Sequence, residues 1–544
     1  VFKLKKVRLN MWNVLSSIIV MLIVLPNIEM LMNIFKTPNE NWYHIKQYLL
    51  KEYVVNSLIL VSVTAFFTVL IGTTLSWIIS VYDFPMRKFF KWAMILPLAI
   101  PPYIAAYTYS GIFSYTGVIQ ATLRKLNISV NPNYFDIMSM KGAVFIFTIF
   151  LFPYVYIITR SFLEKQSSAL IENARVLGRN SLEIFWYVVL PISRGAIIGG
   201  VSIVILEILN DYGVVNYFGV QTFSTAIFKA WFGMGDIDSA SRLASILIIM
   251  VLTLLTLERF LRGRKKYSFT TTKIRPISLI KLKGIRAFAA FSFCLVIFLL
   301  GFLIPTAQLF RWSLLTYKKI LNVEFVHFMF SSISAALITA SLIIIFALIV
   351  ANYCRINDNL ISRLYSKITV LGYSIPGAVI AVGVIVVFVT LDRKLRWVYE
   401  IIGVTSSGLI LSTSITMLIF AYIIRFLAVG YNSIEAGFEK VGNKFSEASR
   451  TLGFGITKTF FKVDLPMIKG AVLGGFLLTF IEVLKELPLT LILRPFNFNT
   501  LATKAYEYAN DEMIHEASVA SILIIAISFF SIYLFYRMED KEEK

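Results

Sequence analysis

Charge is what this sequence has least of: Asp, Glu, Lys and Arg make up 15% of its 544 residues, against 58% hydrophobic ones. Soluble domains carry charge on about a quarter of their residues, so the shortage excludes an aqueous globular enzyme. The apolar excess equally excludes a disordered chain. Cysteine is almost missing. Cys294 and Cys354 lie in or at the edge of apolar runs, too few and too far apart for a disulfide framework or a zinc site. The three histidines, His44, His327 and His515, fall in outer loops or at span edges and form no metal-binding pattern. A phosphate-binding Gly-x-x-x-x-Gly-Lys-Ser/Thr loop is also missing. Its nearest approach, Gly453-Phe-Gly-Ile-Thr-Lys-Thr, lacks the second glycine before the lysine.

What the chain does have is long apolar runs, with a mean hydropathy of +0.76. A spanning helix needs about 20 mainly apolar residues. Candidate spans lie near 11–34, 54–81, 89–115, 142–162, 195–212 and 240–261, then 286–311, 328–353, 366–391, 407–428, 470–485 and 516–536. The expected fold is an all-α polytopic membrane protein of about twelve transmembrane helices. The first run follows a basic head but has no small-x-small cleavage site, so it reads as a retained span rather than a signal peptide. Fifteen prolines in such a chain require neighbouring helices or a water-lined cavity to satisfy the freed carbonyls.

Lys and Arg outnumber Asp and Glu by 52 to 31. The surplus gathers in short loops: Lys3, Lys5, Lys6 and Arg8 at the start, and Arg262, Arg264, Lys265, Lys266, Lys273, Arg275, Lys281 and Lys283 midway. Basic short loops stay on the cytoplasmic side, which puts both termini there. That placement argues for a membrane partner and against nucleic acid.

The chain repeats itself at a constant offset of 275, which pairs Glu172 with Glu447, Gly178 with Gly453 and Pro191 with Pro466. The same offset pairs Gly195 with Gly470, Gly199 with Gly474, Gly200 with Gly475, Glu207 with Glu482, Pro101 with Pro376 and Ser57 with Ser332. Two units follow, 1–280 and 281–544. Six spans in each is an even number, so the halves enter the membrane with the same polarity, as parallel repeats around a central path.

The most specific signal is a polar loop present once per half, at about 164–194 and 439–469. Ala169, Leu170, Ala174 and Leu177 fall near helical spacing and predict an apolar stripe. Gly178 and Gly453 suit a left-handed helix stop. Ser181 and Thr457 are the expected caps of the helices that follow, which run into Leu190-Pro191 and Leu465-Pro466. A helix, a glycine corner and a second helix make a knob suited to another protein's groove.

The pattern Glu-x-Ala-x-x-x-Gly, nine residues, a β-branched residue, x, Leu-Pro resembles the permease signature of binding-protein-dependent ABC importers. Val188 and Val463 stand where that family usually has Ile, and Asn173 and Ser449 replace alanines. The resemblance covers roughly 50–262 and 325–538. It implies that each loop is a coupling helix seated on an ATPase subunit, through Glu172, Ala174 and Gly178 with Leu190-Pro191, and through Glu447, Ala448 and Gly453 with Leu465-Pro466. It also implies a cytoplasmic ATPase dimer that carries ATP and Mg, an extracytoplasmic substrate-binding protein, and residence in a bacterial cytoplasmic (inner) membrane. No catalytic residue and no cofactor of its own is expected for this chain.

Intramembrane acids are expensive and usually functional. Glu207 and Asp211 lie four apart, on one helix face, and Glu482 and Glu486 repeat the spacing. Two such pairs about one axis suit a hard, highly charged cation. The competing reading is structural: neutralisation by Lys485 or an arginine, or access of Asp211 and Glu486 to outer water. Pro97, Pro101 and Pro102, matched by Pro376, predict broken helices along a transport path, with Tyr103 and Tyr107 beside the first break. No stable metal centre is expected, because a conduit must release what it passes.

Asn210-Asp211-Tyr212-Gly213 with Phe218 to Ile227 is similar to the first half of ferric-iron permeases. Lys485-Glu486-Leu487-Pro488-Leu489-Thr490 with Leu493-Arg494-Pro495-Phe496 resembles their second half. Thiamine, polyamine and phosphonate permeases share much of this pattern. An ion-coupled secondary transporter and a membrane-embedded docking scaffold are the rival classes.

Overall fold

The computed structural model describes residues 11–32, 37–128, 131–164, 169–262, 279–357, 359–401 and 409–543. Lys3, Lys5, Lys6 and Arg8, the basic residues from Arg264 to Arg275, and residues 165–168 of the first repeated loop lie outside them. So do the side chains of Arg262, Ala169 and Leu170.

Among the described residues nine helices are long and apolar enough to cross a membrane, and three sharply bent pairs bring the number to twelve. The spans are α1 (Met11–Met32), α2 (Glu40–Val81), α3 (Arg87–Ala99 with Pro102–Lys125), α4 (Met140–Glu164), α5 (Ser181–Asn210) and α6 (Ile237–Arg262). The second six are α7 (Gly284–Ile320), α8 (Val323–Ile356), α9 (Leu360–Ser374 with Gly377–Ile401), α10 (Ile415–Val441), α11 (Ile456–Met467 with Lys469–Leu484) and α12 (Ile514–Glu543). The chain is a multi-pass membrane protein built from two six-span repeats.

Several helices outrun the apolar runs that announced them. The second begins at Glu40 rather than 54, because Asn39 caps it by accepting Trp42 N–H at 2.9 Å and its first turns are polar. The tenth begins only at Ile415 but runs on to Val441, carrying polar residues such as Asn432 and Glu435 beyond the apolar stretch. Hydropathy marks where lipid is, and a helix need not stop there.

The broken spans sit where the prolines placed them. The bend is 92° in α3, at Pro101-Pro102, and 111° in α9, just before Gly377. The first span of each half leaves its own repeat. Trp12 of α1 donates its indole N–H to Thr457 at 3.2 Å, and Ser17 bonds Tyr365 at 2.7 Å. Pro26 of α1 abuts Gly383 of α9, and Gly301 of α7, at the equivalent position, abuts Pro97 of α3. The sequence units and the packed halves are therefore different sets of helices. A parallel pair of two-residue strands, Tyr82–Asp83 with Ile280–Lys281, ties the chain between the halves to the loop after α2.

Small residues set the helix spacing. Val155 of α4 faces Gly72 of α2 and Gly200 of α5: a Cβ on Gly72 would lie 2.8 Å from its Cβ, and one on Gly200 2.7 Å from its Cα. Gly200→Val is expected to overpack this seam and cost about 1–3 kcal/mol. The readout is the thermal midpoint of the detergent-solubilised protein, and an unchanged midpoint would mean that α4 and α5 separate freely.

Candidate functional site

The two repeated loops fold alike. Ala169–Val176 and Lys444–Thr451 are helical, and both end on a left-handed glycine, Gly178 at φ 80° and Gly453 at φ 87°. Gly178 N–H bonds Arg175 O at 2.9 Å and Arg179 N–H bonds Ala174 O at 3.1 Å. In the second copy Gly453 bonds Arg450 at 3.0 Å and Phe454 bonds Ser449 at 3.2 Å. This paired pattern satisfies the last carbonyls of the helix and needs positive φ at the glycine. A Cβ at either glycine would meet nothing within 4 Å, so the requirement is conformational and not steric.

The expected caps are corrected. Asn180, not Ser181, caps the next helix, accepting Glu183 N–H at 2.9 Å while Glu183 returns a bond to Asn180 N–H. Gly455, not Thr457, holds that place in the second copy, and Thr457 faces Trp12. In both copies the cap falls two residues after the left-handed glycine, one or two positions earlier than spacing put it.

Of the expected apolar stripe, Ala174 and Leu177 have described side chains. Ala174 is buried, but Leu177 is 81% exposed, as is its counterpart Leu452 at 80%. Trp186 and Phe461, again 275 apart, are exposed too, and so are Glu172 and Glu447. Apolar side chains thus stand open at matching places in both halves. Each second helix then passes through a wide π turn, Phe185–Val189 or Phe460–Asp464, into Leu190-Pro191 or Leu465-Pro466. A proline two residues on cannot donate a hydrogen bond to the preceding turn.

At the other end of α5 and α11 lies a cavity of about 60 Å³. Its lining includes Glu207, Asp211, Glu482, Glu486, Pro101 and Tyr103, so six of the eight residues expected along a path converge here. Two do not line it. Tyr107 is fully buried against Ser521 of α12, and Pro376 stands one residue before Gly377 at the cavity's border.

Each acid is engaged. Tyr373 donates to Glu207 Oε1 at 2.6 Å, and Lys485 Nζ lies 2.7 Å from Glu482 Oε1. Asp211 accepts Val214 N–H at 2.8 Å and Glu486 accepts Leu489 N–H at 3.0 Å. Val214 and Leu489 are themselves 275 apart, so Asp211 and Glu486 do the same work, capping the short helices Gly213–Tyr217 and Pro488–Leu493. Among the described residues no three His, Cys, Asp or Glu side chains gather closely enough to hold a metal ion.

The residue that sequence reading did not single out is Arg425 of α10. It is 6% exposed, its Nε lies 3.5 Å from Glu486 Oε2, and its Nη1 donates to Asn210 Oδ1 at 2.5 Å. The same Asn210 oxygen accepts Gly377 N–H, the first amide of the second half of α9. These bonds cross between the repeats. An arginine inside the apolar run 415–428 was the available signal, since a charge there costs several kcal/mol unless paired.

Above this cavity is a larger one of about 530 Å³, lined by Tyr212, Phe228, Arg494, Phe496, Tyr506 and Glu507 among others. Tyr506 contacts both Tyr103 and Tyr212, with ring centroids 6.4 and 6.0 Å apart, and stands between the two spaces. Here the repeat register slips. Ser57 accepts Phe223 N–H and Ser332 accepts Leu501 N–H, so their partners are 278 rather than 275 apart. The three extra residues fall in the loop around 494–499, which presents Phe496 at 97% exposure.

Outside the membrane core, Asp236 precedes α6. Burial alone would raise its carboxyl pKa, but donors from Ser239, Asn41 and Asn39 outweigh it and hold the group below the usual range.

Residues 72–262 and 343–542 both match the family model described as binding-protein-dependent transport system inner membrane component. The Fe(3+)-transport system permease protein FbpB 2 of Haemophilus influenzae is 23% identical over 487 residues, 89% of each chain. A probable ABC transporter permease protein, y4fN, of Sinorhizobium fredii is 22% identical over 88% of this chain and 85% of its own. The sulfate transport system permease protein CysT of Salmonella typhimurium is 28% identical over 36% of this chain and 69% of its own.

Proposed function

The chain belongs to the inner membrane components of binding-protein-dependent transport systems, as a permease subunit with both repeats fused, and we propose that the solute it passes is ferric iron. The observation that carries this reading is the cavity between the repeats, which four acidic residues line. Ferric iron is hard and highly charged and takes oxygen ligands. A relative matched over 89% of each chain is described as an Fe(3+)-transport permease, which supports the same choice.

In this reading an ATPase dimer, carrying ATP and Mg, grips the two loops at Leu177 and Leu452 on the cytoplasmic side of a bacterial inner membrane. The basic short loops favour that face and both termini on the inside. A substrate-loaded binding protein docks on the opposite face, over the larger cavity rimmed by Phe496. Closure of the ATPases draws the loops together, α5 and α11 tilt with them, and the passage turns from inward- to outward-facing. The chain positions and releases its cargo and performs no covalent chemistry.

A second reading is favoured by a specific observation: Arg425, Lys485 and the Gly377 helix N-terminus would suit an oxyanion, and sulfate and 2-aminoethylphosphonate permeases match one repeat. Reconstitution into liposomes with the ATPase and separately loaded binding proteins tests both. ATP turnover and uptake stimulated by the ferric-loaded protein are expected. Stimulation by the sulfate-loaded protein alone would transfer the assignment to an oxyanion.

A further inference from the structure

The acids of the small cavity are duplicated, and the cations are not. Glu207 answers to Glu482 and Asp211 to Glu486, but the positions equivalent to Arg425 and Lys485 are Phe150 and Asn210. Both positive charges therefore come from the second repeat and break the symmetry of a site whose negative charges obey it. A buried cation needs a counter-charge to fold, and one acid would suffice for one arginine. Four acids stand against Arg425 and Lys485, and withdrawal of Arg425 leaves one cation among them.

The arginine is held in a made seat. Its guanidinium lies between Glu486 of the second repeat and Asn210 of the first, closing the seam between them. Position 377 is glycine where the first repeat has Pro102, and a Cβ there would collide with Arg425 Nη1 and stand 3.2 Å from Glu486 Oε1. The cavity beside this seat is large enough to admit water. Into it faces Tyr103, 4% exposed, whose hydroxyl has no hydrogen-bond partner among the described residues. A buried, unpartnered phenol oxygen beside these acids is free to bind whatever enters the cavity.

Resting on the ferric-iron reading, we infer that Arg425 is a tethered stand-in for the transported cation. In the closed state its guanidinium occupies the Glu486–Asn210 seat and bridges the repeats. The metal ion gains Glu486, with Tyr103 alongside, only when the arginine withdraws. The same group thus seals the empty passage against small cations and yields to a trivalent one that attracts the carboxylates more strongly. Outward movement of α10 against α5, driven from the coupling face, is what separates Arg425 from Asn210.

The test uses the nucleotide-free complex with its ATPase in lipid nanodiscs, dialysed against Ga³⁺ buffered by nitrilotriacetate, with bound gallium counted by mass spectrometry. Gallium(III) matches ferric iron in charge and has no accessible reduction. Removing an occupant that fills the seat most of the time raises apparent affinity by the reciprocal of the vacant fraction, so Arg425→Gln should bind Ga³⁺ about 10–100-fold more tightly than the parent. Adding Glu486→Gln should erase that gain. Gly377→Ala, which keeps every charge and only crowds the guanidinium, should shift binding in the same direction. If neither single variant binds better than the parent while the parent imports ferric iron, Arg425 is structural and the inference fails. If the parent imports sulfate instead and Arg425→Gln loses that import, the arginine is an oxyanion ligand, and the iron reading fails with it.

Discussion

A protein carrying Gly178→Pro together with Gly453→Pro is expected to insert normally and to bring uptake to background. Both glycines hold φ near +80°, and proline is confined to about −65°. Each substitution also deletes a donor that closes the helix, Gly178 N–H to Arg175 and Gly453 N–H to Arg450. The damage stays local, because neither Cα faces another atom within 4 Å on its side-chain side. The knob should therefore lose its corner while the spans keep their packing. Alanine at the same sites is the graded control, with a left-handed penalty of about 1–2 kcal/mol per residue and a milder loss. The measurement is solute uptake alongside ATP turnover in proteoliposomes. Full uptake by the proline pair would remove the loops from the coupling mechanism.

Glu207→Gln with Glu482→Gln is the second change expected to be severe. Glutamine keeps the shape and an acceptor oxygen, so Tyr373 can still donate at position 207. At position 482 it strands Lys485, which now lies 2.7 Å from its carboxylate. Contacts to charged groups contribute about 1.5–3 kcal/mol each, and weakening two predicts uptake lower by at least about 100-fold. Binding of the ATPase, at the other end of α5 and α11, should be unchanged. A thermal midpoint that collapses while the residual folded fraction transports at full rate would make these acids structural. The single variants separate the cases, since only Glu482→Gln leaves an unpaired lysine.

The two repeated loops were legible because their chemistry is local. A left-handed glycine, a helix ending and an offset of 275 depend on neighbours along the chain and on copying, and a sequence records both. The number of spans was legible for a similar reason, since lipid demands continuous apolar length. Cap positions were less so: Asn180 and Gly455 displaced Ser181 and Thr457 through backbone geometry that spacing alone does not carry.

Which partner engages each acid was not readable. Asp211 and Glu486 look alike in the sequence; in the fold each satisfies an amide three residues on, and Glu486 also pairs with Arg425. Arg425 is a single charge in an apolar run until α10 is laid against α5 and α9, and only then does it close the seam between repeats. The exchange of α1 and α7 between halves belongs to the same class.

From its order of residues alone this chain had its membrane nature, its duplication and its two glycine-cornered loops, because hydropathy, copying and i-to-i+5 bonding are written along the backbone. Tertiary structure decided which faces of the spans meet. In lipid both the buried and the exposed face of a helix are apolar, so periodicity cannot mark the packed side, and pairings such as Arg425 with Asn210 and Glu486 come into being only with the packing itself.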